Sequence, residues 1–235
     1  MSTWALRRFW TAATAVPVEG GFAVQLDGKP VRTPQKAPLV LPTEALAREV
    51  AAEWQAVEGK VDPGRMPFTR MANSAIDKVA PQFEAVAEML AEYGGSDLLC
   101  YRAEHPDGLI ARQSAGWDPL LAWAATTLAA PLHPTVGVMH RDQPPASLDA
   151  LAQAVRALTP FQLVAFHDLV ALSGSLVLAL AVTRGRLTAE EAWALSRIDE
   201  TWQIEEWGAD EEAAEMTARK HGDFLLADRF FALCR

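Results

Sequence analysis

Cysteine is almost absent from the 235-residue chain. Only Cys100 and Cys234 occur, outside any metal-ligand spacing, so a disulfide framework is excluded and a reducing compartment is the default. Basic residues are also short, 21 Lys and Arg against 30 Asp and Glu, which leaves a net charge of −9 and a pI near 5.1. Sequence-independent binding of nucleic acid rests on neutralising phosphates, so this balance argues against it and favours basic partners. The uncharged stretch Leu169 to Thr183, bracketed by Asp168 and Arg184, falls short of the roughly 20 apolar residues that a bilayer span needs, and reads as a buried core helix bent at Ser173-Gly174-Ser175. Met1 to Val16 only imitates a signal peptide: its apolar run is short, broken by threonines and preceded by Trp4. Export and transit peptides are rejected, and a cytoplasmic protein without membrane attachment is expected.

Catalytic signatures are missing too. Glu19-Gly20-Gly21 and Arg184-Gly185-Arg186 lack the spacing and the lysine of a phosphate-binding loop. There is no H-E-x-x-H, and none of the five histidines stands three residues after a glutamate, so zinc and di-iron sites lack support. Ser173 and Ser175 flank Gly174 without a nucleophile elbow. His167 beside Asp168 has the composition of an oriented base, but helical neighbours point to different faces, and a histidine next to an apolar helix is more often a satisfied core residue. No metal, cofactor or small-molecule substrate is expected. A binding module fits these residues better than an enzyme.

Half of the chain is hydrophobic, enough for a sizeable core. Phe22, Val24 and Leu26 alternate with smaller or polar residues, Asp27-Gly28 signals a hairpin turn, and Val31 and Thr33 continue beyond it. Leu39 to Leu41 reads as a third strand. Thr43 caps a helix striped by Leu46, Val50, Trp54 and Val57, and helices follow at Met66 to Val79 and Pro81 to Tyr93, the latter stopped by Gly94-Gly95. Helical signals dominate afterwards: Asp97 to Tyr101, Pro106 to Gln113, a separate helix from Asp118-Pro119, one capped by Ser147, and one opened by the Thr159/Gln162 capping box, with a short strand over Val136 to Met139. The fold class is α+β, a small N-terminal α+β domain over 1–93 with a β-hairpin, followed by a larger all-helical domain over 94–235.

The stretch from Phe161 to Glu215 carries the most pointed pattern. After the core segment and the Arg184-Gly185-Arg186 turn, Thr188 and Glu191 form a capping box. Leu195, Ile198 and Trp202 then share one face, expected to pack on the core helix, while Asp199, Gln203, Glu206 and Asp210 share an adjacent polar face. Between Asp199 and Glu215 stand eight acids and no Lys or Arg. A solvated surface helix is the plain account of such a run, but Trp207-Gly208 beside uncompensated acids suits a contact surface. A last helix spans Ala213 to Phe231, with a break at Gly222.

Taken in order, Phe9-Trp10, the hairpin Leu26-Asp27-Gly28-Lys29-Pro30-Val31-Arg32-Thr33-Pro34, Leu39 to Pro42, Glu53-Trp54, Met66 to Thr69, Asp97 to Arg102, Trp117-Asp118-Pro119, Gly174-Ser175, Leu195 to Asp199, Gln203-Ile204, Trp207-Gly208 and Glu211 resemble the assembly chaperones that hold the alpha subunit of the F-type ATP synthase catalytic head. The resemblance covers nearly the whole chain. It implies a non-catalytic protein with a small α+β domain before a helical one. Such a protein binds the unassembled alpha subunit, shields the surface that later faces the beta subunit, and is displaced when beta arrives. It also implies an important acid near the C-terminus, with Glu211 the first choice and Asp199 the second. Trp207 and Ile204 are expected as anchors, with Asp199, Gln203 and Glu211 pairing with basic groups. The lack of a leader points to a bacterial member. Two other classes stay open: a general holdase for unfolded chains, and an enzyme that uses acids of the helical domain with His167.

Overall fold

A computed structural model describes residues 7–235. The first six residues of the signal-like segment Met1 to Val16 therefore lie outside the described residues. The described residues form two compact units, one of 7–83 with Thr159–Ala165 and Phe230–Arg235, the other of Glu84–Leu158 and Phe166–Arg229. The first unit thus ends ten residues before Tyr93 and recruits two later segments, because chain proximity in sequence does not decide which apolar faces pack together.

In the first unit, strands β1 (Ala13–Val18) and β2 (Gly21–Leu26) pair antiparallel from Val18 with Gly21 to Ala13 with Leu26. Strand β2 also pairs with β3 (Lys29–Pro30) and β4 (Val40–Leu41). Asp27 and Gly28, both at positive φ (47° and 80°), make the turn that the sequence announces. Strand β1 carries no such signal: Pro17 within it suits only an edge strand, which is where β1 lies. Asp27 also accepts hydrogen bonds from the backbone N–H groups of Thr11 and Ala12, each 2.9 Å at its shorter contact, which fixes the chain entering β1 and holds its carboxyl below the usual range.

Helix α1 (Glu44–Gln55) covers this sheet, its N-terminus capped by Thr43, whose hydroxyl accepts from the Leu46 N–H at 3.2 Å. Leu46, Val50 and Trp54 are buried as the stripe requires, and the Trp10 indole donates to the Trp54 carbonyl at 3.2 Å. Glu53 accepts from the N–H groups of Phe68 and Thr69, both at 2.7 Å, and so caps α2 (Pro67–Ser74) across the chain. A π-turn over Ala75–Val79 continues this helix toward α3 (Phe83–Ala91).

The second unit is helical apart from two short strands, β5 (Tyr101–Arg102) and β6 (Thr135–Val136), which pair in parallel. Several boundaries differ from the sequence reading. A 3-10 turn runs through Gly94-Gly95 to Ser96. The two expected helices around Trp117 are one, α4 (Asp107–Thr127), with Pro119 inside it. Trp117, Leu120 and Leu121 are buried on either side of that proline, and their packing outweighs its lost hydrogen bond. Ser147 is not the cap of α5 (Pro145–Arg156); its hydroxyl donates instead to the Pro131 carbonyl at 2.7 Å. The capping box of Thr159 and Gln162 does open α6 (Pro160–Ser173).

The core segment is broken, not bent. Gly174 at φ +71° ends α6, and α7 (Leu176–Thr183) starts anew with Ser175 as its cap. Helix α7 is buried along its whole length. The sequence also reads one helix from Thr188 through Trp207, where the structure has α8 (Ala189–Ser196) and α9 (Ile198–Trp207) with Arg197 between them. Side chains take over helix carbonyls at that joint: the Ser196 hydroxyl bonds to the Trp193 carbonyl at 2.7 Å, and the Trp117 indole N–H to the Leu195 carbonyl at 2.9 Å. Helix α10 (Glu211–Leu233) runs unbroken through Gly222, since Phe224 beyond it packs on Trp193 with ring centroids 5.6 Å apart. Among the described residues no helix is long and apolar enough to cross a membrane.

Candidate functional site

Helices α9 and α10 form an arm on the second unit. Gly208, at φ +90°, makes the turn that an L side chain would strain, and its N–H bonds to the Ile204 carbonyl at 2.9 Å. Asp210 then caps α10, its carboxylate accepting from the Ala213 N–H at 2.8 Å. Every residue from Gln203 to Lys220 is exposed, including Ile204 at 49%, Met216 at 51% and Trp207 at 79%. A single exposed apolar side chain needs no account, but Ile204 and Trp207, three residues apart on α9, share one face of the helix.

Contacts with α4 hold α9 in place, while Trp193 and Glu190 of α8, which packs on α7, meet α10. A side chain on Gly116 would come within 2.8 Å of Leu195 and 2.9 Å of Ile198, and one on Gly108 within 2.6 Å of the Trp202 ring. Arg112 adds a two-pronged hydrogen bond to Glu205 at 3.0 and 2.8 Å and stacks over Trp202, 5.0 Å from its centroid. Gly108→Val should therefore destabilise the protein by about 1–3 kcal/mol through overpacking against a rigid indole. Thermal unfolding checks it, with Gly95→Val as the control, since nothing lies within 4 Å of the position a side chain would take there.

A groove of about 580 Å³ runs along the arm, lined among others by Trp193, Gln203, Ile204, Trp207, Ala214 and Ala218. At its end His221 stacks on Trp193 with centroids 5.3 Å apart and shares a 2.7 Å contact with Glu190. Of the residues singled out from sequence, Gln203, Ile204 and Trp207 meet in this groove. Glu211 stands at its turn end in the first turn of α10, next to the lining residue Asp210. Asp199 is elsewhere: it is half-buried and accepts from the Gln113 amide on α4 at 2.7 Å.

The acidic run is also less uncompensated than its sequence suggests. Glu200 pairs with Arg197 at 2.9 Å, Glu205 with Arg112 and Glu215 with Arg219. Among the described residues Glu206, Glu211 and Glu212 show no hydrogen bond or ion pair, so uncompensated charge gathers at the turn. Sequence reasoning missed Trp193, Ala214 and Ala218, because a buried tryptophan and two alanines carry no signal of a groove until the helices meet.

His167 is not among the residues lining this groove. Its Nδ1 sits 2.9 Å from the Asp168 carboxylate, so the two neighbours do meet despite their places on the helix, and that hydrogen bond raises the imidazole above its ordinary 6.5. The charged form stabilises the fold below pH 6.5, and this contribution is lost as pH rises through the raised value. Proton NMR should show a midpoint above 6.5 that falls back toward it in Asp168→Asn. Burial pushes the Cys100 and Cys234 thiols up to about 12, which leaves them unreactive at neutral pH. Among the described residues no group of three His, Cys, Asp or Glu is placed to hold a metal.

The family model for the ATP12 chaperone protein matches residues 7–125. The chain belongs to the ATP12 chaperone family. The match ends before the arm, but relatives extend it. Atp12 from Paracoccus denitrificans is 56% identical, with a TM-score of 0.95 over 97% of this chain and 98% of that one. A putative chaperone from Agrobacterium tumefaciens is 45% identical, with a TM-score of 0.91 over 97% of this chain and 86% of that one. The mitochondrial Atp12 protein of Schizosaccharomyces pombe is 26% identical over 242 residues, 97% of this chain and 82% of that protein. The order of a small strand region before a mostly helical part is that of the ATP12 structures.

Proposed function

We propose that this ATP12-family chaperone serves ATP synthase assembly in the cytoplasm by binding the unassembled alpha subunit of the F-type catalytic head. It shields the beta-facing surface of alpha and gives way when the beta subunit arrives. One observation carries this reading: the arm of α9 and α10 exposes Ile204 and Trp207 along an apolar groove whose turn end holds unpaired acids. An orphan subunit interface is apolar and prone to aggregate, and a stand-in for the missing neighbour needs aromatic anchors within a charged rim. In this account Trp207 and Ile204 anchor alpha, Gln203 hydrogen-bonds to it and Glu211 pairs with a basic group. Asp199 acts through Gln113, holding α9 on α4.

Co-expression of the chain with alpha alone, followed by size exclusion of the soluble fraction, tests the reading. A stoichiometric complex that dissolves when beta is added is the expected result. Insoluble alpha with no complex would refute it, and equal binding of unrelated denatured proteins would replace it with a general holdase.

A further inference from the structure

We propose that the arm groove takes about two turns of an apolar helix from the partner, with a lysine or arginine at the end that meets the α9–α10 turn. The inference rests on the reading of the arm as the docking site and adds the chemistry of what docks. The walls decide the shape of the occupant. Helices α9 and α10 already use their mid-helix N–H and C=O groups internally, and the lining offers mainly the carbon surfaces of Trp193, Ile204, Trp207, Ala213, Ala214 and Ala218. An extended segment laid there would turn backbone groups toward a wall that offers few partners, Gln203 and Thr217 among them, whereas a helix brings its own already satisfied. Alanines on the α10 side let a helix backbone approach closely. From Ala213 to His221 the groove runs about 12 Å, or about two helical turns, at 1.5 Å per residue.

The state of α10 supports a missing neighbour independently. Glu211 through Lys220, the first half of the 23-residue α10, expose every residue, so this half gains little from packing in the free chain while Phe224 anchors the half beyond it. Charge then sets the polarity. Among the described residues Glu206, Glu211 and Glu212 gather at the turn without basic partners, while at the other end of the segment Arg219 pairs with Glu215 and His221 meets Glu190, which leaves Lys220 as the charge there without an ion pair. A basic residue on the incoming helix is therefore favoured at the turn over the far end.

The test uses the full chain and two labelled 15-residue leucine-alanine helical peptides with the same apolar stripe, one ending in a lysine pair and the other in a glutamate pair. Fluorescence anisotropy should show the lysine peptide binding at least tenfold more tightly, with a gap that narrows as salt rises. Trp207→Ala and Ala218→Arg should each weaken it at least tenfold with an unchanged far-ultraviolet circular dichroism spectrum, since both positions are exposed. Equal binding of the two peptides, or an Ala218→Arg protein that binds normally, overturns the proposal. So does a dimer of the free chain that Ala218→Arg separates, because the groove would then belong to a second copy. The same variants tested against the alpha subunit distinguish the two readings. Alpha held equally by wild type and both variants removes the groove and keeps the chaperone, while alpha not held by wild type removes the chaperone reading whatever the peptides do.

Discussion

Asp97→Ala is expected to destabilise the protein by about 3–5 kcal/mol, because it removes the shared acceptor of three buried donors. The Asp97 carboxylate is fully buried and accepts three hydrogen bonds, from the Ser175 hydroxyl at 2.7 Å, the Val177 N–H at 2.9 Å and the Leu99 N–H at 3.0 Å. It ties the turn before β5 to the start of α7, where the Leu98 N–H also bonds to the Gly174 carbonyl at 3.1 Å. Alanine would strand all three donors in a dry site. Asn keeps one acceptor oxygen and turns an amide N–H toward a donor, so Asp97→Asn should cost less, about 1–3 kcal/mol. Burial raises the Asp97 pKa against the opposing pull of the Val177 N–H and the Ser175 hydroxyl. The folded state therefore holds its proton more tightly than the unfolded one, and this group's contribution declines as pH rises from 3.8 through the raised value. Urea midpoints across that range check both effects: the alanine variant should be the weakest and should lack this slope. A variant as stable as wild type would show that the three hydrogen bonds contribute nothing net.

Trp207→Ala should weaken binding of the alpha subunit by about 30-fold or more, the level of an aromatic hot spot worth about 2 kcal/mol. Its stability should not change, because the indole is 79% exposed and has little packing to lose. Glu211→Lys should weaken binding as well and should reverse the salt dependence, since repulsion replaces attraction at the turn. Asp199→Ala should act differently, loosening α9 through Gln113 and so lowering stability together with binding. Titration of labelled alpha with each variant, beside a melting curve, separates the anchor from the support. Full alpha binding by Trp207→Ala would remove Trp207 from the interface.

What could be read from the sequence depended on how local each signal was. Asp27-Gly28, Thr43 before Leu46, Thr159 with Gln162 and Thr188 with Glu191 are complete within a few residues, and all four make the turn or cap expected of them. Strand β1 was not legible, because Thr14 and Pro17 become a strand only through β2. The breaks at Gly174 and Arg197 and the continuity through Pro119 and Gly222 were decided by packing that no short window contains. For the candidate site, Gln203, Ile204 and Trp207 could be found from spacing and a tryptophan beside a glycine. The partners of the acids could not: Arg112 and Gln113 stand more than 80 positions away, and the closeness of Gly108 and Gly116 to α9 exists only once α4 is folded.

Amide hydrogen exchange on the chain with and without the alpha subunit tests most directly whether the arm is where the chaperone holds its client. Added protection concentrated in residues 198–221, strongest across Ile204 to Ala218, is the result the account predicts. Protection that fell instead on the sheet of β1 to β4, with the arm exchanging as fast as in the free protein, would contradict it.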